Sequence, residues 1–218
     1  MISTLDLSLL PDIHSLRRLL QSLAMLDAIL CPAREFRYYS CDSNWADGQQ
    51  LGSMRDGSGD HFFAHFSKSG CWLKGFAHES LMSPQGNCSG KVWPGVLNGV
   101  PPEFTDCLQE PAFEVEQTTF CLWRRYNDRC WQTGQIAYPG NQPDPDGSAM
   151  LLSHLDGRPE TYQVWATEYY ERPVSLAAIE HVYQQNFLMP DVISELNPKV
   201  SLADLGADIA EIGYPCGF

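Results

Sequence analysis

Two β-rich runs, His61–Phe66 and Cys71–Phe76, stand on either side of the short segment Lys68-Ser69-Gly70, and they restrict the fold of this chain more than any other feature. A glycine in a short polar turn lets the backbone reverse, and strands joined so tightly can pair only antiparallel. A lone hairpin is marginal in water, so more strands and a covering layer are required. Phe36–Cys41 is aromatic and extended in character. Thr118–Tyr126, an Asn127-Asp128 turn and Arg129–Gln132 read as a second hairpin.

Helices bracket this central β region. Over residues 12–30, Ile13, Leu16, Leu19, Leu20, Leu23, Leu26, Ile29 and Leu30 recur at spacings of three and four, which makes one apolar stripe. Pro32 stops that helix. The spacing of Tyr162, Trp165, Ala166, Tyr169 and Tyr170 favours helix over strand. Ser175–Phe187 carries Leu176, Ile179, Val182 and Tyr183 on one face. Ser201–Ile209 reads as a short final helix, with Ser201 as N-cap and Asp204 at the third helical position of a capping box. Ser83–Pro102 and Pro139–Gly147 are loops rich in Pro and Gly. The expected architecture is one α+β domain over residues 1–218, a central antiparallel sheet flanked by N-terminal and C-terminal helices.

Charge is distributed unevenly over this framework. Residues 101–218 hold 18 Asp and Glu against 6 Lys and Arg, whereas residues 1–100 hold 9 against 8. The stretch with Glu103, Asp106, Glu110, Glu114 and Glu116 contains no base. An anionic surface disfavours nucleic acid and anionic lipid and speeds encounter with basic partners. Met1–Leu10 carries Asp6 and no Lys or Arg, unlike a secretory signal, and no uncharged apolar run reaches the length of a membrane span. The expected setting is the cytoplasm. The eight cysteines are scattered without a C-x-x-C pair, which points to free thiols rather than a zinc site or a disulfide framework.

Motif by motif, catalytic signatures fall away. Gly86-Asn87-Cys88-Ser89-Gly90 has the spacing of a nucleophile elbow, but neither flank suits the strand or the helix such an elbow joins. His61 and His65 have H-x-x-x-H spacing, yet on a strand four residues span about 13 Å, too far for two ligands of one zinc. Asp144-Pro145-Asp146-Gly147 resembles the start of a calcium loop but lacks its closing Glu. Gly57-Ser58-Gly59-Asp60 is a turn without the Lys-Ser/Thr ending of a phosphate loop. His78 and Glu79 are the remaining acid–base candidates, and the enzymatic alternative is a small hydrolase or transferase built around them. No catalytic residue, metal ligand or cofactor is assigned. Trp45, Trp72, Trp93, Trp123, Trp131 and Trp165 divide between core and candidate partner anchors.

Leu51–Asp60 (LGSMRDGSGD), Lys74–Pro84 (KGFAHESLMSP), Trp93–Phe104 (WPGVLNGVPPEF), Glu110–Phe113 with Thr118–Arg124 (EPAF and TTFCLWR), Pro159–Tyr170 (PETYQVWATEYY) and Glu211–Pro215 (EIGYP) together resemble a bacterial cytosolic family. That family is similar to the immunity proteins paired with toxins, including effectors of type VI secretion. The resemblance implies a non-enzymatic protein that binds and neutralises a cognate toxin, a basic nuclease among the candidates. Glu103, Asp106, Glu110, Glu114 and Glu116 are then the first contact residues, with Asp144 and Asp146 behind them. Neither nucleic acid nor membrane is an expected partner.

Overall fold

The computed structural model describes residues 1–216. Its centre is an antiparallel meander of six strands in chain order: β1 (Tyr39–Ala46), β2 (Gln49–Arg55), β3 (His61–Ser67), β4 (Gly70–Phe76), β5 (Phe120–Arg125) and β6 (Gln132–Thr133). The expected hairpin is β3–β4, with Ser67 paired to Gly70 and His61 to Phe76. A second hairpin, β5–β6, is present with Leu122 opposite Thr133, but residues 126–131 form its loop and the return strand is only Gln132–Thr133 rather than the expected Arg129–Gln132.

Side chains alternate across the sheet, and both faces are covered. Phe62, Ala64, Phe66, Cys71, Leu73, Phe120 and Leu122 face a core shared with the helices. Phe63, Trp72, Cys121 and Trp123 face a second core with Met82, Val96, Phe104, Cys107 and Phe113. The second core is built by the long β4–β5 connection, residues 77–119. This segment has little regular structure beyond short 3-10 turns at Pro102–Leu108 and Pro111–Phe113, yet it carries enough apolar side chains to cover one face.

On the other face, α1 (Ile13–Leu30) lies against β1 and β2. Asp12 caps it by accepting from the Ser15 amide at 2.9 Å. Gly52 permits the close approach: a Cβ there would meet Leu20 Cδ1 at 2.7 Å. The short α2 (Ser148–Leu151), α3 (Pro159–Tyr169), α4 (Leu176–Tyr183), α5 (Pro190–Leu196) and α6 (Gly206–Ile212) complete this layer. The fold is α+β, as expected.

Asp27 joins three of these elements. It is fully buried on α1, and Oδ2 accepts from the amides of Tyr38 (2.9 Å) and Tyr39 (2.7 Å). Its Oδ1 accepts from the hydroxyls of Tyr162 (2.7 Å) and Tyr170 (3.1 Å). Burial raises its pKa to about 6, against the pull of all four donors.

Several boundaries differ from the expectations. The first strand starts at Tyr39, because Arg34–Phe36 form a 3-10 turn that leaves Phe36 exposed. Strand β2 was not anticipated, since QQLGSMR has no aromatic or β-branched residue. Its two neighbours, β1 and β3, impose the extended conformation. Helix α5 was also missed; it is only seven residues long. Ser201 and Asp204 do exchange bonds, at 2.9 and 3.4 Å, but they close a turn, and the last helix begins at Gly206. Among the described residues no helix is long and apolar enough to cross a membrane.

Candidate functional site: an acidic cleft at one end of the sheet

The β1–β2 and β3–β4 turns lie at the same end of the sheet, and the segment 102–113 folds against them. Between them opens a cleft of about 740 Å³, lined by Trp45, Asp47, Gln49, His65, Lys68, Glu103, Asp106, Cys107, Glu110 and Phe113 among others. Four carboxylates face one lysine there.

Local geometry explains which side chains reach the cleft. In a 3-10 turn, residues three apart share a face. Over Pro102–Leu108 this buries Phe104 and Cys107 against the sheet and leaves Glu103 and Asp106 exposed together. Glu110 precedes the next turn, and its carboxylate accepts from the Ala112 amide at 3.1 Å. Phe113 enters the core beneath, stacked on Trp45 with centroids 6.1 Å apart and 5.8 Å from the His65 ring. Glu103 also stands 3.9 Å from Arg125, with both side chains half-exposed. Such an exposed pair is weak and leaves the carboxylate free to change partners.

The cleft wall carries a second pattern. In the β2–β3 register Leu51 pairs with His65, so Gln49 sits two residues along on the same face. His65 Nε2 lies 2.7 Å from Gln49 Oε1, and His65 Nδ1 lies 3.3 Å from Cys107 Sγ. The amide oxygen is an acceptor, which makes Nε2 the protonated nitrogen and leaves Nδ1 to accept from the thiol. Burial lowers the His65 pKa, with Glu110 opposing. Burial, then the charges of Asp106 and Glu110, push the Cys107 thiol up to about 12. At rest this is a neutral thiol hydrogen-bonded to a neutral imidazole.

The other acidic residues are elsewhere. Glu114 adopts a left-handed conformation, φ 45°, that turns the chain away. The turn is held from inside by Lys74, which is fully buried on β4 and donates to the Gln117 carbonyl at 2.6 Å and the Glu114 carbonyl at 3.4 Å. Burial lowers the Lys74 pKa to about 8. His61 Nε2, 3.0 Å away, stays unprotonated and accepts from it, its own pKa depressed to about 4 by burial and then by Lys74. Glu116 borders a separate depression with Pro84, Gln85 and Cys88. Asp144 accepts from the amides of Ala149 (2.9 Å) and Met150 (3.1 Å), at α2. Asp146 is fully buried, bonded to Thr4 and Ser148, so it has no surface to offer a partner. The seven acidic candidates therefore reduce to three that share one cleft, joined by Asp47.

His78 and Glu79 are not the pair they resemble in sequence. His78 Nδ1 lies 2.6 Å from Asp60 Oδ1, which also accepts the His78 amide at 2.7 Å, whereas Glu79 is 3.9 Å away with its side chain in solvent. The Asp60 hydrogen bond raises the His78 pKa. Cys88 has φ 57°, but its segment is a loop without strand or helix flanks. All eight cysteines are free. Among the described residues no three His, Cys, Asp or Glu side chains gather as metal ligands.

Comparison of the chain with family models, with curated proteins and with solved structures returns no match. Asp47, Gln49 and the pairing of His65 with Cys107 were not legible as a site in the sequence, and Trp45 was one of six tryptophans among which the sequence does not choose a partner anchor. Gln49 and Cys107 are 58 positions apart, and only the strand register and the 3-10 turn bring them together.

Proposed function

We propose that this chain is a protein-binding module whose acidic cleft receives a Lys- or Arg-bearing segment of a partner. One observation carries the reading: Glu103, Asp106 and Glu110, spread over eight positions of an irregular loop, converge with Asp47 on one cleft that has Trp45 and Phe113 in its wall. Carboxylates at the rim accelerate association with a basic partner, and the partly exposed Trp45, backed by buried Phe113, supplies apolar contact area. The resemblance to immunity proteins supplies the class of partner, a toxin that the chain neutralises in the cytoplasm. A nuclease, with its basic phosphate-seeking cleft, fits the charge.

Fluorescence anisotropy with a labelled hexa-arginine peptide tests the cleft directly. The wild type is expected to bind it with an affinity that falls as salt rises. The triple variant E103Q/D106N/E110Q is expected to bind at least tenfold more weakly, which corresponds to about 1.4 kcal/mol. The double variant E114Q/E116Q is expected to keep wild-type affinity. Equal affinity of the triple variant and the wild type would remove the cleft reading. The toxin reading stands or falls on co-expression with the product of the neighbouring gene: rescue of growth by the wild type and not by the triple variant supports it.

A further inference from the structure

The wall of the acidic cleft holds a cysteine, a histidine and an amide oxygen in series, and the binding role proposed above gives these three groups no task. Cys107 and His65 are only 4% and 7% exposed, yet both border the cleft, so a molecule seated there meets them from the open side. Nucleophile and base stand at 3.3 Å, and the base is oriented by a third group at 2.7 Å, the arrangement from which thiol acyl transfer is built on unrelated folds. We infer that Cys107 is a nucleophile, His65 its base and Gln49 the residue positioning that base, and that they act on an ester or thioester whose acyl part carries a guanidinium or ammonium group. The inference rests on the acidic cleft as a cation site.

Each group has a defined part in the step. The S–H proton of Cys107 moves to His65 Nδ1 as Sγ bonds to the acyl carbon, and the carbonyl π pair moves to oxygen. That pair then re-forms the carbonyl, the bond to the leaving alkoxide or thiolate breaks, and His65 returns its proton to the departing atom. Water, deprotonated by the same nitrogen, hydrolyses the thioester and restores the thiol. Gln49 Oε1 holds the Nε2–H tautomer throughout and steadies the imidazolium that forms transiently.

The acidic lining gives the site its selectivity and reinforces its rest state. Burial is the main cause that keeps the thiol protonated, and the charges of Asp106 and Glu110 add to it. A bound guanidinium offsets those two charges, so the substrate that fits is also the one that eases removal of the proton. An uncharged ester of the same size provides no such compensation.

The decisive experiment compares the p-nitrophenyl esters of Nα-acetylarginine and Nα-acetylnorleucine by nitrophenolate release, with mass-spectrometric mapping of the acyl adduct after acid quench. The wild type is expected to hydrolyse the arginine ester at least tenfold faster than the norleucine ester, with the transient adduct on Cys107. His65→Gln is expected to lower kcat by about 100-fold or more, the usual span for losing a general base. Gln49→Leu is expected to lower kcat at unchanged KM, and Gln49→Glu, which still accepts from Nε2–H, to retain activity. Cys107→Ala and Cys107→Ser, both checked for folding by near-ultraviolet circular dichroism, are expected to fall to the buffer rate. An adduct confined to Cys88, Cys130 or Cys216, or turnover surviving in folded Cys107→Ala, would overturn the inference. If hexa-arginine binds as proposed and neither ester turns over, the thiol chemistry fails alone; if the peptide also fails to bind, the cleft reading fails with it.

Discussion

Replacing Asp27 with asparagine tests whether burial or hydrogen bonding controls the one carboxylate that ties α1, β1 and α3 together. Four donors reach its two oxygens, and four donors would ordinarily hold a carboxylate well below its usual pKa of 3.8. Complete burial acts the other way and is the larger effect, leaving the folded-state pKa at about 6. A folded-state pKa above the unfolded one means that this group favours folding most when protonated. Its contribution is fully present below pH 3.8 and is lost as pH rises through 6. The whole difference is about 3 kcal/mol at roughly 1.36 kcal/mol per pKa unit. Of this, about 1 kcal/mol falls between pH 7 and pH 5.

The introduced amide would not titrate. Its oxygen can keep both backbone amides, and its NH2 can donate to Tyr162 and Tyr170 if those hydroxyls reverse. The displaced hydroxyl protons then need new acceptors in the core, at about 1–3 kcal/mol for each one left unsatisfied. The relief of a buried charge opposes that loss at pH 7, so the net change there is small. The pH dependence carries the information. In urea unfolding followed by tryptophan fluorescence, the stability of the wild type minus that of Asp27→Asn should rise by about 1 kcal/mol from pH 7 to pH 5. The subtraction cancels the histidines common to both proteins. A flat difference, or one that falls on acidification, would show that the four donors dominate and that the reasoning from burial is wrong.

Two further expectations concern parts of the fold away from the cleft. The His78 imidazole should titrate above the ordinary histidine value of 6.5 in NMR, and Asp60→Asn should bring it back down, whereas Glu79→Gln should move it little. Gly52→Ala should destabilise the protein by about 1–3 kcal/mol, because the new Cβ would stand 2.7 Å from Leu20 Cδ1 and 3.2 Å from its Cβ. Unchanged denaturation midpoints in that variant would mean that α1 can lift from β2 without loss.

What could be read in the sequence, and what could not, follows from the range of the forces involved. Helix α1 declares itself through apolar residues that recur every three to four positions, and the β3–β4 hairpin through two β-rich runs on either side of a short turn with glycine. Strand β2 has no such signal, because its conformation comes from hydrogen bonds to both neighbours. The cleft was half legible. A base-free acidic stretch is visible along the chain, but its division depends on the backbone beneath it. The 3-10 turn at 102–108 places Glu103 beside Asp106, and the proline-led turn after Glu110 keeps that carboxylate near them. Four residues later the left-handed Glu114 turns the chain, with buried Lys74 gripping the carbonyls of Glu114 and Gln117. Nothing near Lys74 in sequence signals that role: it stands on β4 about 40 residues earlier, in a strand whose other inward positions are apolar or glycine. A buried lysine with carbonyl and imidazole acceptors, and no carboxylate within hydrogen-bonding distance among its described partners, is an expensive way to close a turn. The turn it closes carries Glu114 and Glu116 away from the cleft, so the acidic lining is shaped as much by this internal cation as by the carboxylates that remain there.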